Sequence, residues 1–212
     1  MSDINLLDGN WINTAADWAR RASKENLKFN FKAMQDLFVH IRASSELPPS
    51  SKSVITLALD LDNAGQSKLA DAVRACGIYP NKTDYRHAYV SNTETGKDIS
   101  RPAPMPMSLA HWMTYMMGLI AGQGGEPTLV LVTGAFEVVG PIREMVIERK
   151  AKVVVAYFSR MMDSRYKETG VFRDNKIKGF DFFDLEPYSK DLLGFEFRKQ
   201  HEGENLDLVL PI

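Results

Sequence analysis

Asp60, Asp62 and Asn63, in the stretch LALDLDNAG (57–65), bring two carboxylates and a carboxamide to the end of an apolar run. Oxygen donors of this kind suit a hard divalent cation such as Mg²⁺ or Mn²⁺. The same residue types also cap helices, because a side-chain oxygen accepts from the free N–H groups of a first turn. Both roles stay open for Asp62 and Asn63. A second candidate turn lies in TLVLVTGAFEVVGP (128–141). There a β-branched run leads into Thr133-Gly134, a helix pattern starts near Pro141, and the turn carries one acid, Glu137.

Other chemistries find little support. Cys76 sits on the apolar face of a helical pattern with no neighbouring His, and reads as a small core residue. His40, His87, His111 and His201 are scattered and show no metal-ligand spacing. The segment GQGGEP (122–127) precedes a strand pattern instead of opening a helix, so it is a turn and not a phosphate cradle.

The elements that must carry these residues follow from periodicity. Residues 10–43 are helical by spacing: Trp11, Ala15, Trp18 and Ala22, then Met34, Leu37, Phe38 and Ile41. The Ser/Pro-rich SSELPPSSKS (44–53) reads as a linker. Residues 1–53 are therefore expected to form a helical extension tethered to a core over 54–187. In that core, strands are expected at VITLALD (54–60), YRHAYVS (85–91), TLVLVT (128–133), KVVVAYF (152–158) and FDFFDL (180–185), with helices between them. Strands that are apolar throughout and alternate with helices argue for a mostly parallel, Rossmann-like α/β sheet covered on both faces. The tail 188–212, with FEF and LDLVLPI, is expected to add an edge strand or to dock on a partner.

Bulk properties narrow the function class. The net charge is −1, with 44% hydrophobic and 25% charged residues, which excludes a globally basic nucleic-acid binder. A single cysteine excludes an internal disulfide and fits a reducing compartment. The start, MSDINLLDGNW, lacks a secretory signal pattern, so a cytoplasmic location is expected. The Met-rich run near 107–121 is uncharged but short, and contains Ser108, His111 and Thr114; it reads as a buried helix and not a membrane span. Local basicity does occur: between Arg143 and Lys178 there are ten Lys/Arg against five Asp/Glu, interleaved with Tyr157, Phe158, Tyr166 and Phe172. That mixture can follow a nucleic-acid backbone and stack bases, or can simply be a solvated face.

LALDLDNAG, TLVLVTG followed by GPIREMVIERKAKVVVAYF, and FDFFDLEP together resemble an NYN domain of the PIN-like nuclease superfamily, over roughly 54–187. The resemblance implies a Rossmann-like sheet and RNA cleavage by metal held among clustered acids, here Asp60, Asp62 and Glu137. Nucleic-acid contacts would fall to Asn63, Thr133, Arg160, Arg165 and Lys167. Two departures stand out. Where the family reads S-G-D-x-D-F, this chain has Thr133-Gly134-Ala135-Phe136-Glu137-Val138. No acid occurs near Ser108, where the preceding helix of the family carries an Asp. Several carboxylates are needed to offset the dehydration of Mg²⁺ and hold an attacking water. The expectation is a non-catalytic NYN-like domain that binds a protein partner or RNA in a regulatory, inhibitory or adaptor role. It would carry no cofactor or a weakly bound Mg²⁺ or Mn²⁺, and a homodimer is compatible with it. The alternative is a Mg/Mn-dependent ribonuclease with an altered acid set.

Overall fold

Asp3–Asp8 (DINLLD) forms strand β1, buried along nearly its whole length, in the middle of a six-stranded parallel sheet. In the computed structural model, residues 3–50, 52–58, 64–83, 87–91, 98–102, 126–162 and 179–197 are described. Ile4 and Leu6 point to one face of the sheet and Leu7 to the other, the two-residue alternation of a strand covered on both sides. β1 pairs in parallel with β2 (Ser53–Ala58) on one side and with β6 (Thr128–Val132) on the other. The full order is β3-β2-β1-β6-β7-β8, with β3 at Ile78–Thr83, β7 at Lys152–Tyr157 and β8 at Phe180–Asp184.

Asp8 ends β1 and at once caps helix α1 (Gly9–Ser23): its Oδ1 accepts from the backbone N–H groups of Asn10 and Trp11, at 3.1 and 3.2 Å. Strand and helix therefore abut without a loop, which only a glycine permits at position 9. A Cβ there would lie 2.3 Å from the Thr56 carbonyl oxygen and 2.5 Å from Leu57 Cδ2. Helix α2 (Phe31–Ser44) is capped by Asn30, whose side chain accepts from the Ala33 N–H. Helix α3 (Ala64–Ala75) joins β2 to β3. Helix α4 (Val139–Arg149) joins β6 to β7, and a short helix α5 (Ser189–Leu193) follows β8.

The core lies in two layers. On one face Leu7, Ile55, Val130 and Val154 meet Ile12 and Ala15 of α1, Met34 and Phe38 of α2, and Leu192 of α5. On the other, Leu6, Leu129, Leu131 and Val155 meet Ile142, Met145 and Val146 of α4. Each such side chain contributes about 1.5–3 kcal/mol of transfer free energy.

The Rossmann-like parallel α/β sheet expected from the sequence is present. Three expectations need correction. Residues 1–53 are not an extension: β1 is a central strand, α1 and α2 cover one face, and the Ser/Pro segment is the crossover into β2, with Leu47 buried. β1 escaped notice because Asp3, Asn5 and Asp8 interrupt its apolar residues and it runs straight into a helix. Second, His87–Ser91 (β4) does not join the main sheet; it pairs antiparallel with β5 (Asp98–Pro102) in a separate two-stranded sheet. The strand beside β2 is β3, which contains Pro80 and tolerates it because β3 is an edge. Third, the tail up to Phe197 belongs to the core, since Phe195 and Phe197 pack on the Trp18 ring. The Met-rich segment 107–121 and residues 198–212 lie outside the described residues. Among the described residues, no helix is long and apolar enough to cross a membrane.

Candidate functional site

The strand order reverses between β1 and β6, so their C-terminal ends define the switch point at which open parallel sheets form a ligand crevice. The residues closing those two strands are Asp8 and Thr133. Both are buried, and the Thr133 hydroxyl donates to Asp8 Oδ2 at 2.8 Å. With Oδ1 capping α1, both carboxylate oxygens of Asp8 are engaged within the fold. The Ala135 N–H donates to the Thr133 hydroxyl oxygen at 3.1 Å, which holds the turn after β6.

Trp11 covers this turn. Its ring stacks on Phe158 at 5.5 Å, and a Cβ on Gly134 would approach its Nε1 to 2.5 Å and the Met161 carbonyl oxygen to 2.9 Å. Gly134 is thus required by the close approach of Trp11 and of the chain after β7. Trp11 Nε1 is itself buried without a hydrogen-bond partner.

The ends of β7 and β8 carry a second polar group. Asp184 accepts from the Ser159 N–H and hydroxyl and from the Glu186 N–H. Glu186 receives the Arg160 backbone N–H at 2.7 Å, its Nε at 2.9 Å and its Nη2 at 3.2 Å, a two-pronged charge-assisted pair. Burial pushes the Glu186 carboxyl up, but the hydrogen bonds from Arg160 outweigh it and hold the group below its ordinary value. Burial, then the charges of Asp184 and Glu186, push the Tyr157 phenol up. The Arg160 guanidinium also lies 4.6 Å from the Phe197 ring centre and 5.9 Å from that of Trp18.

Of the residues singled out from sequence, Thr133 is buried against Asp8, and Arg160 is occupied by Glu186 and two aromatic rings. In the folded chain the Thr133 hydroxyl is thus spent on Asp8, and Arg160 directs its Nε and Nη2 to Glu186. Glu137 falls in the single 3₁₀ turn Phe136–Val138, in the loop after β6. Asp60, Asp62 and Asn63, and also Arg165 and Lys167, lie outside the described residues. Among the described residues, no three His, Cys, Asp or Glu side chains form a group that could hold a metal ion. Sequence reasoning missed Asp8. Its signal was LLDGNW, an acid closing an apolar pair just before the Trp11–Ala15–Trp18 spacing begins, which is an N-cap signature.

No family model and no curated protein matches the chain. One solved structure does: the crystal structure of a protein of unknown function from Vibrio parahaemolyticus, 14% identical, with a TM-score of 0.55. The match covers 91% of this chain and 96% of that one. At that identity the likeness concerns the fold.

Proposed function

We propose that the protein is an NYN-like domain that acts by binding a protein partner, in a regulatory, inhibitory or adaptor role, and not by cleaving RNA. The observation that carries this reading is the use of Asp8: one carboxylate oxygen caps α1 and the other receives the Thr133 hydroxyl. A carboxylate committed twice inside the fold is poorly placed to turn toward a cation. The turn beside it offers Ala135 where the family pattern has an acid. Protein is preferred to nucleic acid because Arg160, in the turn after β7, is paired with Glu186.

A second reading, a Mg/Mn-dependent ribonuclease, draws support from the position of Asp8. It adds one acid at the switch point to the candidates Asp60, Asp62 and Glu137 named from sequence.

Incubation of the full chain with single-stranded and structured RNA in Mn²⁺ distinguishes the two. The binding reading expects no cleavage, and the same null result from Asp60→Ala. Cleavage by the unmodified chain that Asp60→Ala abolishes overturns it.

A further inference from the structure

Helix α2 spends the charge near its C-terminal end within the fold. Arg42 is buried and donates to Asn5 Oδ1, to the Ile4 and Pro48 carbonyls and to the Thr128 hydroxyl, with the Asp3 carboxylate as its electrostatic partner. Further along α2 the arrangement differs. Between this helix and α5 lies a cavity of about 400 Å³, within the size range of small-molecule sites. It shares no residue with the turn at Asp8 and Thr133.

Leu37 and Leu192, both buried, give the cavity an apolar lining. The His40 and Tyr188 rings also line it, with centres 5.9 Å apart and planes tilted by 56°. Phe183 packs on both: it stacks on Tyr188 at 5.7 Å and meets the His40 ring edge-on at 6.0 Å. Each helix adds one carboxylate, Asp36 from α2 and Asp191 from α5, and no Lys or Arg is among the described residues that line the cavity. Asp36 pairs with Lys32, but their side chains are 66% and 70% exposed, and so solvated a pair contributes little and is readily exchanged. Asp191 enters no ion pair among the described residues.

The lining selects the ligand. Two carboxylates repel an anion. A bare divalent cation wants several oxygen ligands, and no three His, Cys, Asp or Glu among the described residues form such a group. An ammonium head on a hydrocarbon stem suits every wall. Its N–H groups donate to a carboxylate, its charge is attracted by aromatic rings, and its stem covers the leucines.

We propose that the cavity between α2 and α5 binds a small alkylammonium ion, its head at Asp191 beside the Tyr188 and His40 rings and its stem on Leu37 and Leu192. The test is an NMR titration of the isotope-labelled full chain at pH 7 and constant ionic strength. Pentylammonium is expected to saturate the amide shifts of Asp36, His40 and Asp191, with pentan-1-ol and Mg²⁺ each at least about tenfold weaker. Asp191→Asn keeps the side-chain size, removes the charge and should weaken pentylammonium about fivefold. Asp71→Asn removes the same charge from an exposed position on α3 and should leave the affinity unchanged, which separates this site from a general attraction for cations. Both variants should keep the native spectrum. Pentylammonium that fails to saturate by about 10 mM, equal binding of pentan-1-ol or Mg²⁺, unchanged affinity in Asp191→Asn, or equal weakening in Asp71→Asn each overturn the proposal. Nα-acetyl-lysine methylamide that binds more tightly than pentylammonium would assign the cavity to a lysine of a protein partner and overturn the free ligand.

Discussion

The Thr133 hydroxyl donates to Asp8 Oδ2 at 2.8 Å and so joins, across 125 residues of sequence, the two strands on either side of the switch point. The bond ties the C-terminal ends of β1 and β6 together from within the fold. Removing either side strands a buried polar group, which is dearer than losing a hydrogen bond outright. Thr133→Val should therefore cost about 1–3 kcal/mol in urea unfolding. Asp8→Ala loses the α1 cap as well and should cost more than Thr133→Val. Asp8→Asn keeps an acceptor for the cap and should fall between native and Asp8→Ala.

Gly134 and Trp11 should be coupled. Gly134→Ala drives a Cβ into the indole and into the Met161 carbonyl, and should destabilise by about 1–3 kcal/mol. Trp11→Phe removes the unpartnered Nε1 and part of the obstruction, so the double variant should be more stable than the sum of the single effects requires. A double-mutant cycle by denaturant titration reads this directly. Strict additivity would mean that the Met161 carbonyl, and not the ring, sets the limit.

The Arg160–Glu186 pair makes stability depend on pH. The Glu186 carboxyl is lowered in the folded chain from an ordinary value of 4.5. A depressed folded pKa contributes stability that is present above the unfolded value and is lost as pH falls through the folded one. Thermal or denaturant stability should thus decline below about pH 4.5. In Glu186→Gln this decline should be smaller, since Arg160 then meets a neutral amide at every pH. A curve of unchanged shape would place the acid sensitivity elsewhere.

The N-terminal segment should be indispensable. A chain lacking residues 1–53 loses β1 from the centre of the sheet and exposes both core layers, so it should fail to unfold cooperatively and should give a poorly dispersed NMR spectrum. Even Leu6→Ala should cost about 2–5 kcal/mol, because Leu6 is 1% exposed within the second core layer. A folded 54–212 fragment would show that β1 is dispensable.

Much of the scaffold could be read from residues alone. TLVLVT, KVVVAYF and FDFFDL are dense apolar or aromatic runs between helix patterns, and they became β6, β7 and β8. β1 and β3 could not be read in the same way. DINLLD is half polar, and IYPNKT contains a proline and is polar at its end; their pairing partners supply what composition lacks. The site followed the same division. Gly134 and Ala135 were placed at a strand-to-helix turn, but Asp8 was not, because its neighbour in space is Thr133, 125 positions away.

The alternation of apolar and helical segments determined by itself that this chain builds a Rossmann-like parallel sheet, since strands buried on both faces admit few other partners. Strand order is different in kind. It depends on which edges pair after the chain has crossed the sheet, and hydrogen bonds between backbones leave no mark in side-chain periodicity. Only the tertiary structure therefore decided that β1 is central, that the switch point falls on Asp8 and Thr133, and that Arg160 and Arg42 spend their charge inside the fold.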